Sequence, residues 1–291
     1  MKIFKDIYRW CLQPCHLFFL TIITLMLPNV ALCITERMPL MAALANILLP
    51  GGIYWLLMTL AKKPGKAIWW LFFFVFLAAF QLVLLYLFGR SIIAVDMFLN
   101  LITTNPGEAM ELLDNIAPAV VGVFVIYLPL LALGVMSVCG KKELDKSFIR
   151  KQRSVGYAII ALGLVSLAGS YVSDKAYRAE LDLYPANVLY NIVLAGERTY
   201  QTAHYTETSK GFSFHARQTL SESEKEVYVM IIGETARACE FQLYGYNRPT
   251  TPLLSKEDNL VAFTNVLSQS NTTHKSVPML MSAASAVDYD R

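Results

Sequence analysis

The sequence predicts an α-helical membrane domain of five transmembrane helices, followed by the N-terminal part of an α/β domain. Three observations lead to this prediction: long apolar runs before residue 174, a polar segment after them, and two short β-branched runs near residue 230 and residue 264. Of the 291 residues, 55% are hydrophobic, and the mean hydropathy is +0.45. This composition excludes a single soluble domain and is typical of multi-span membrane proteins.

Five runs without charged residues are long enough to cross a bilayer, which takes about 20 residues. They are residues 10–35, 38–61, 67–89, 116–140 and 154–173. The first run is too long for a cleaved signal peptide, and further spans follow it. We expect Pro14 and Pro28 to shorten or kink this run, because proline interrupts helical hydrogen bonding.

Lysine and arginine flank these runs unevenly. One set of connections contains Lys2, Lys5, Arg9, Lys62, Lys63, Lys66, Lys141, Lys142, Lys146, Arg150, Lys151 and Arg153. The short connections on the other side contain only Arg37 and Arg90. Because positively charged loops stay in the cytoplasm, we expect a cytoplasmic N-terminus. We expect the chain after residue 173 to lie on the opposite side of the membrane. The net charge of +3 is mild, and we expect no nucleic-acid partner.

The non-cytoplasmic connection 90–114 is unusually long and contains Asn100, Thr104 and Glu108 at intervals of four residues. On a helix these three side chains would share one face, although Pro106 and Gly107 indicate a break before Glu108. One interpretation is a helix lying on the membrane that ends in an Asn-Pro-Gly turn. The other is a polar strip that binds a phospholipid headgroup, with the carboxylate facing an ammonium. The residues alone favour the first.

Residues 174–222 form a polar, tyrosine-rich bridge, in which 187–195 is predicted to be a short amphipathic helix. The histidines of this bridge, His204 and His215, are given no role. Cys239 is the single cysteine after residue 173, so this part of the chain cannot form an internal disulfide.

The apolar run 227–232 is predicted to be a buried parallel strand, because it is short and rich in β-branched residues. Glu234 follows its end, where ligands gather in α/β sheets and where a carboxylate suits a cation. A second strand, 260–267, leads through a polar turn that includes Thr273 to a predicted helix at 276–286. A hydroxyl before a helix meets free N–H groups that stabilise an alkoxide or a phosphate ester.

Together these features predict a metal-dependent phosphoryl-transfer site, because threonine is a poor nucleophile until a base or a metal activates it. Two simpler interpretations remain for the residues taken singly. Glu234 could cap a turn, and Thr273 could be an ordinary hydroxyl at a helix start. Thr272 competes as the nucleophile if the register shifts by one residue. We expect Arg248 and residues 250–252 to fix a loop near the site.

These residues resemble the lipid A phosphoethanolamine transferases, the family that includes the colistin-resistance enzymes. The shared motifs are Gly-Glu-Thr-x-Arg at 233–237, Gly-Tyr-x-Arg-x-Thr-Thr-Pro at 245–252, and a threonine, Thr273, three residues before Ser-Val-Pro. The resemblance implies an alkaline-phosphatase or sulfatase-like catalytic domain beginning at 223–291, with zinc bound by Glu234 and Thr273. It implies that Thr273 accepts phosphoethanolamine and that Asn100, Thr104 and Glu108 bind substrate, which reverses the preference stated above for that strip.

The resemblance implies transfer of phosphoethanolamine from phosphatidylethanolamine to lipid A or another envelope glycolipid, by a multi-pass protein of the bacterial inner membrane with a periplasmic catalytic domain. Two departures from the family stand out. Gln269 and Met279 occupy the places of a disulfide that often flanks the nucleophile, so local rigidity must come from elsewhere. The family's Asp-His segment, which supplies further zinc ligands, does not occur here. We therefore expect a C-terminally truncated transferase with little turnover of its own.

Two alternatives to this function remain open. A related phosphoglycerol transferase or sulfatase-like hydrolase shares the carboxylate–threonine site, but a glycerol headgroup has no cation for Glu108. A non-catalytic membrane scaffold or transporter-like subunit belongs to a different class. The absence of charged residues within the five runs argues against transport.

Overall fold

The computed structural model describes residues 2–89, 93–95, 97–98, 106–204, 207, 210–211, 213, 227–233, 236–270 and 273–287. Side chains are described throughout these ranges except at 2–5, 106–115, 202 and 274. The chain divides into two compact units, Met1–Lys210 and Gly211–Arg291. The first unit contains the long helices, and the second contains short helical turns joined by loops.

The described helices of the first unit are α1 (Lys2–Cys11), α2 (Pro14–Thr35), α3 (Leu40–Met58), α4 (Pro64–Trp70), α5 (Phe72–Phe88), α6 (Pro106–Cys139), α7 (Lys146–Ser173), α8 (Ala179–Asp182) and α9 (Ala186–Ala203). Four helical stretches are long and apolar enough to cross a membrane: α2, α3, Ile116–Cys139 of α6, and α7. Helices α4 and α5 add a fifth if this pair, bent by 64°, is one span. Each predicted apolar run therefore overlaps a helix, and the described helices provide four or five spans.

Proline determines where the first span begins. The chain breaks after α1, and Pro14 occupies the first turn of α2, where its missing N–H leaves no helical hydrogen bond unmade. The predicted run 10–35 is therefore shortened at its start. Pro28 lies inside α2, which continues to Thr35.

Large apolar side chains are exposed along the spans. Val125 of α6 is 69% exposed, and Val165 and Val172 of α7 are 71% and 85% exposed. Helices that bury one apolar face and expose another are surrounded by lipid rather than water, because a water-soluble protein rarely exposes apolar surface this extensively. Together with the span lengths, this exposure indicates a multi-pass membrane protein.

Helices α3 and α7 approach each other closely along a row of glycines. A Cβ placed on Gly163 would lie 2.9 Å from the Leu49 side chain and 3.0 Å from its backbone nitrogen. One placed on Gly156 would lie 2.6 Å from a methyl group of Leu56. Small residues allow this approach, which is typical of membrane helices held together by close packing.

Basic residues gather at one end of the bundle. Arg153 donates through Nη2 to the Thr59 carbonyl at 3.2 Å, and the Leu144 N–H donates to the Lys62 carbonyl at 2.8 Å. Lys63 donates to carbonyls at the end of α6. The structure thus brings together basic residues that the sequence analysis places on one side of the membrane.

The helix predicted at 187–195 is present and longer, since α9 extends over Ala186–Ala203. It follows a cis Tyr184–Pro185 peptide bond. Tyr184 and Val188 are buried in a cluster with Leu32, Leu77 and Leu84 of the membrane helices. Helix α9 is therefore part of the first unit and packs on its core.

The described residues of the second unit form three 3₁₀ turns, Ala238–Glu240, Gln242–Tyr244 and Leu254–Lys256, and the helix α10, Thr273–Met281. The predicted strands 227–232 and 260–267 are not formed as paired strands in the part of the chain that the structure describes. Val227 and Leu267 are 86% and 91% exposed. A strand buried on both faces needs neighbouring strands and covering helices, and these two stretches remain uncovered. The α/β character is therefore not confirmed.

Candidate active site

The structure describes only part of the predicted site. Thr273 is exposed and is the first residue of α10. Glu108 lies in the first turn of α6, which begins at Pro106, although its side chain is not described. Asn100, Thr104 and Glu234 lie outside the described residues. The geometry of the predicted substrate strip and of the carboxylate–threonine pair therefore stays a prediction.

The helix beside the nucleophile begins three residues earlier than the sequence predicts. It runs over Thr273–Met281 rather than 276–286, so Thr273 is its first residue instead of preceding it. Pro278 lies inside this helix, beyond its first turn. The first N–H groups of a helix have no intrahelical partner. The backbone around Thr273 therefore provides the positive end of a helix dipole, as the sequence predicts.

Side chains on both sides of α10 hold its ends. Gln269 accepts a hydrogen bond through Oε1 from the Ala286 N–H at 2.8 Å, which ties the chain before the helix to the chain after it. The Ser282 hydroxyl donates to the Pro278 carbonyl at 2.7 Å. Met279 is buried, with 7% of its surface exposed. The two residues at the family's disulfide positions thus provide a hydrogen bond and an apolar contact.

The motif at 245–252 folds back onto the two preceding 3₁₀ turns. Thr250 accepts through Oγ1 from the Gln242 N–H at 3.0 Å and donates to the Glu240 carbonyl at 2.6 Å. Thr251 accepts through Oγ1 from the Leu243 N–H at 3.1 Å. The prediction that these threonines fix a loop is confirmed, while the exposed Arg248 has no role established by the structure.

Gly245 closes this loop with a φ of +95°. Glycine adopts this left-handed conformation without the steric penalty that a Cβ brings. The first residue of the motif is therefore required by the backbone, and the two threonines by hydrogen bonding. These requirements are structural and do not by themselves indicate contact with a substrate.

No three His, Cys, Asp or Glu side chains are placed to hold a metal ion together among the residues that the structure describes. Cys239 is free and exposed, as expected for the single cysteine in this part of the chain. The described residues thus supply one of the two predicted zinc ligands, Thr273.

Known proteins match both parts of the chain. Residues 226–290, which include Glu234 and Thr273, match the sulfatase family. The phosphatidylethanolamine transferase Mcr-1 of Escherichia coli is 30% identical over 46% of this chain and 25% of its own length. Mcr-2 of Escherichia coli is 29% identical over 67% of this chain and 37% of its own length. The phosphoethanolamine transferase EptA of Escherichia coli K12 is 28% identical over 64% and 35%, respectively.

The chain is similar in sequence to the phosphoethanolamine transferases. Its resemblance to this family, carried by the three motifs, is confirmed by a sulfatase match over the motifs and by identity that extends beyond them. The matched part covers only 25–37% of the length of these relatives. No solved structure is significantly similar to the chain.

The structure also reveals a group of residues that the sequence analysis missed. Five amide side chains are 0–5% exposed inside the first unit and hydrogen-bond across it. They are Asn29, Asn46, Gln81, Asn187 and Asn191. The available signal was the occurrence of a single Asn or Gln in each of the apolar helices α2, α3 and α5.

Proposed function

We propose that the whole protein transfers phosphoethanolamine from phosphatidylethanolamine to lipid A or another cell-envelope acceptor. The observation that carries this proposal is the position of Thr273. It is an exposed hydroxyl at the first residue of a helix, within the stretch that matches the sulfatase family. The membrane helices of the first unit would give the protein access to a lipid donor. The names of these relatives, phosphatidylethanolamine transferase or phosphoethanolamine transferase, support this donor class.

In the proposed reaction, the Thr273 hydroxyl attacks the phosphorus of the donor. A bond forms between Oγ1 and phosphorus, and the bond between phosphorus and the diacylglycerol oxygen breaks. Diacylglycerol leaves as the alcohol, with the proton that the threonine loses. A hydroxyl or phosphate of the acceptor then displaces Thr273 and takes over the phosphoethanolamine group. The start of α10 favours the esterified threonine, because helix N-termini bind phosphate groups.

Zinc is the proposed cofactor, with the Glu234 carboxylate and the Thr273 hydroxyl as oxygen ligands. When bound, zinc supplies a Lewis acid that lowers the pKa of a hydroxyl and neutralises developing charge. Two protein donors do not complete a zinc site, which takes three or four. Further ligands would have to come from other residues of the whole protein.

Asn100, Thr104 and Glu108 are proposed to bind the ethanolamine end of the donor. A carboxylate near the ammonium would make a charge-assisted hydrogen bond, which is stronger than a bond between neutral groups. Glu108 lies in the first turn of α6, so its backbone position is fixed by a long helix rather than by a loop alone. A glycerol headgroup has no cation to pair with this carboxylate.

The proposed topology has five spans, with α4 and α5 together forming the third. Basic residues at one end of the bundle support a cytoplasmic N-terminus. The catalytic domain, proposed to begin near residue 223 with an α/β sulfatase-like fold, would then be periplasmic in a bacterial inner membrane. The connection 90–114 would lie on the same side as this domain.

The test is mass spectrometry of lipid A and other envelope glycolipids from cells that express the natural gene. We expect addition of one phosphoethanolamine group with the wild-type protein and its loss with Thr273→Ala. Thr273→Ser should retain addition at a reduced rate, and Thr272→Ala is the matched control that should retain it fully. Purified protein should also carry phosphoethanolamine covalently on Thr273.

Two results would contradict the proposal. One is a wild-type protein, present in the membrane, that leaves all envelope glycolipids unmodified. The other is modification that survives Thr273→Ala. If Thr272→Ala abolishes that surviving modification, the nucleophile is the neighbouring residue.

A further inference from the structure

Ile93 is bound through both backbone groups and through its side chain. Its N–H donates to Gln81 Oε1 at 3.2 Å. Its carbonyl accepts from Asn187 Nδ2 at 3.0 Å and from Asn191 Nδ2 at 2.8 Å. The side chain is fully buried, with Val188 in the same cluster. One residue of a connecting segment is thus held from α5 on one side and from α9 on the other.

A second anchor holds the turn that precedes α9. Asn29 donates through Nδ2 to the Tyr184 carbonyl at 2.9 Å, and the Tyr184 N–H donates to Asn46 Oδ1 at 3.1 Å. The Asn29 amide also donates to the Asn46 carbonyl at 2.7 Å. All three residues are at most 1% exposed. We call Asn29, Asn46, Gln81, Asn187 and Asn191 together the amide latch.

The amide latch has a feature that an apolar core would avoid. Burying an amide is unfavourable unless its hydrogen bonds are made, and Asn29 Oδ1 and Asn187 Oδ1 are left without a hydrogen-bond partner among the described atoms. Buried polar networks rigidify the groups they bind and specify a unique arrangement of them. The latch therefore fixes the positions of the backbone groups that it binds.

The positions it fixes lead directly to the predicted headgroup strip. After Ile93, Val95 is 9% exposed, and the Phe98 ring contacts that of Phe80 with centroids 6.3 Å apart. The described residues of 93–98 therefore lie on the membrane helices, and Asn100 follows two residues later. The far end of the strip is Glu108, in the first turn of α6.

We propose that the amide latch positions the donor: by holding Ile93 between α5 and α9, it fixes the start of the segment that carries Asn100, Thr104 and Glu108. This proposal rests on the proposed function, because it assigns the headgroup role to that segment. The latch residues are positioning residues that do not touch the donor. Their removal should weaken binding of the headgroup, because Ile93 then loses its fixed position.

The test compares two variants of the full chain in phospholipid nanodiscs free of phosphatidylethanolamine. The double variant Asn187→Leu/Asn191→Leu removes both donors to the Ile93 carbonyl and keeps side chains of similar size. The matched control is Gln152→Leu, which removes a buried amide that accepts from Trp55 Nε1 at 3.1 Å, away from the latch. Three quantities are measured: melting temperature, hydrogen exchange of peptides covering 93–98, and the Kd of a short-chain phosphatidylethanolamine.

We expect both variants to lower the melting temperature, because each removes hydrogen bonds from a buried site. Only the latch variant should accelerate exchange at 93–98 and raise the Kd. The apparent Kd rises in inverse proportion to the fraction of molecules that hold Ile93 in place, so a fraction of about one tenth gives a tenfold rise. The three readouts separate loss of stability from loss of position, because the control loses stability alone.

Unchanged exchange at 93–98 in the latch variant would overturn the proposal. So would faster exchange with an unchanged Kd, or an equal rise in Kd in the Gln152→Leu control. If the wild-type chain does not bind phosphatidylethanolamine, the headgroup role falls with the proposed function. The exchange result then still decides whether the latch holds Ile93.

Discussion

Gly65 seats the first half of the bent span against α6. A Cβ added at this position would overlap the carbonyl oxygen of Gly134 and would lie 2.9 Å from Ser137 Cβ. The Gly65 N–H also donates to Ser137 Oγ at 3.2 Å. Because the overlap is with backbone, rotation of a side chain cannot relieve it. Gly65→Ala should therefore push α4 away from α6.

The magnitude follows from two opposing terms. Alanine is favoured over glycine within a helix by about 1 kcal/mol, and overpacking a well-filled site destabilises by about 1–3 kcal/mol. A backbone overlap belongs at the upper end of that range, so we expect Gly65→Ala to destabilise the protein by about 2 kcal/mol. An added Cβ at Gly122 of α6 meets nothing within 4 Å. Gly122→Ala should therefore stabilise the protein by up to about 1 kcal/mol.

Reversible unfolding of the purified chain in mixed micelles measures both variants against the wild type. The expected result is a change of opposite sign for Gly65→Ala and Gly122→Ala. The reasoning is refuted if the two substitutions shift the free energy of unfolding equally, because intrinsic helix propensity would then decide both. It is also refuted if Gly65→Ala is the more stabilising of the two.

Two further substitutions test contacts outside the span interiors. Lys63 donates to the carbonyls of Val138 at 2.9 Å and Gly140 at 2.7 Å. Lys63→Met should destabilise the protein by about 1 kcal/mol, because it removes a cation from a helix C-terminus. The control Lys62→Met, at an exposed side chain, should leave stability unchanged. Burial raises the pKa of Tyr177 to about 12, above the value of about 10 in an unfolded chain. The unfolded state then loses this proton first, so stability falls as pH rises from 10 to 12, and Tyr177→Phe should flatten that fall in a pH series of melting temperatures.

The membrane helices could be predicted because their signal is local. Length and apolarity alone identify a span, and α7 shows which of its two ends this signal locates. The predicted run 154–173 ends at Ser173, where α7 also ends, while the helix itself begins earlier, at Lys146. Hydropathy identifies the apolar part of a helix, which spans the lipid. It does not identify the basic turns that continue the same helix beyond the lipid.

The bend between α4 and α5 could not be predicted in the same way. Sharp bends usually occur at proline or glycine, and neither residue lies at Leu71, which separates the two helices. The structure shows instead that α4 is held to α6 through Gly65, while α5 continues along the bundle. The bend depends on contacts between segments far apart in sequence, which periodicity within one segment does not reveal.

The second unit shows a related limit. The runs 227–232 and 260–267 have the composition of buried strands. Composition indicates only a preference for strand structure, and a strand forms only where it pairs with a neighbouring strand. The loop at 245–252 was predicted more successfully, because its hydrogen bonds join residues only eight to ten positions apart, such as Thr250 and Gln242. The loop could be predicted because its hydrogen-bond partners are close in sequence. Whether a strand forms depends on partners that are far away in sequence.

The sequence analysis missed the buried amides Asn29, Asn46, Gln81, Asn187 and Asn191, because it considered only charged residues within the apolar runs. The apolar runs were searched for charges, and a neutral amide carries none. Yet a buried amide needs partners as much as a charge does, and Asn29, Asn46 and Gln81 each stand alone in an apolar helix. All three bind the segments around Tyr184 and Ile93. These three amides thus converge at the end of the bundle that carries α9, opposite the basic end. Under the proposed function, this end of the bundle lies on the side of the membrane where the donor headgroup is bound.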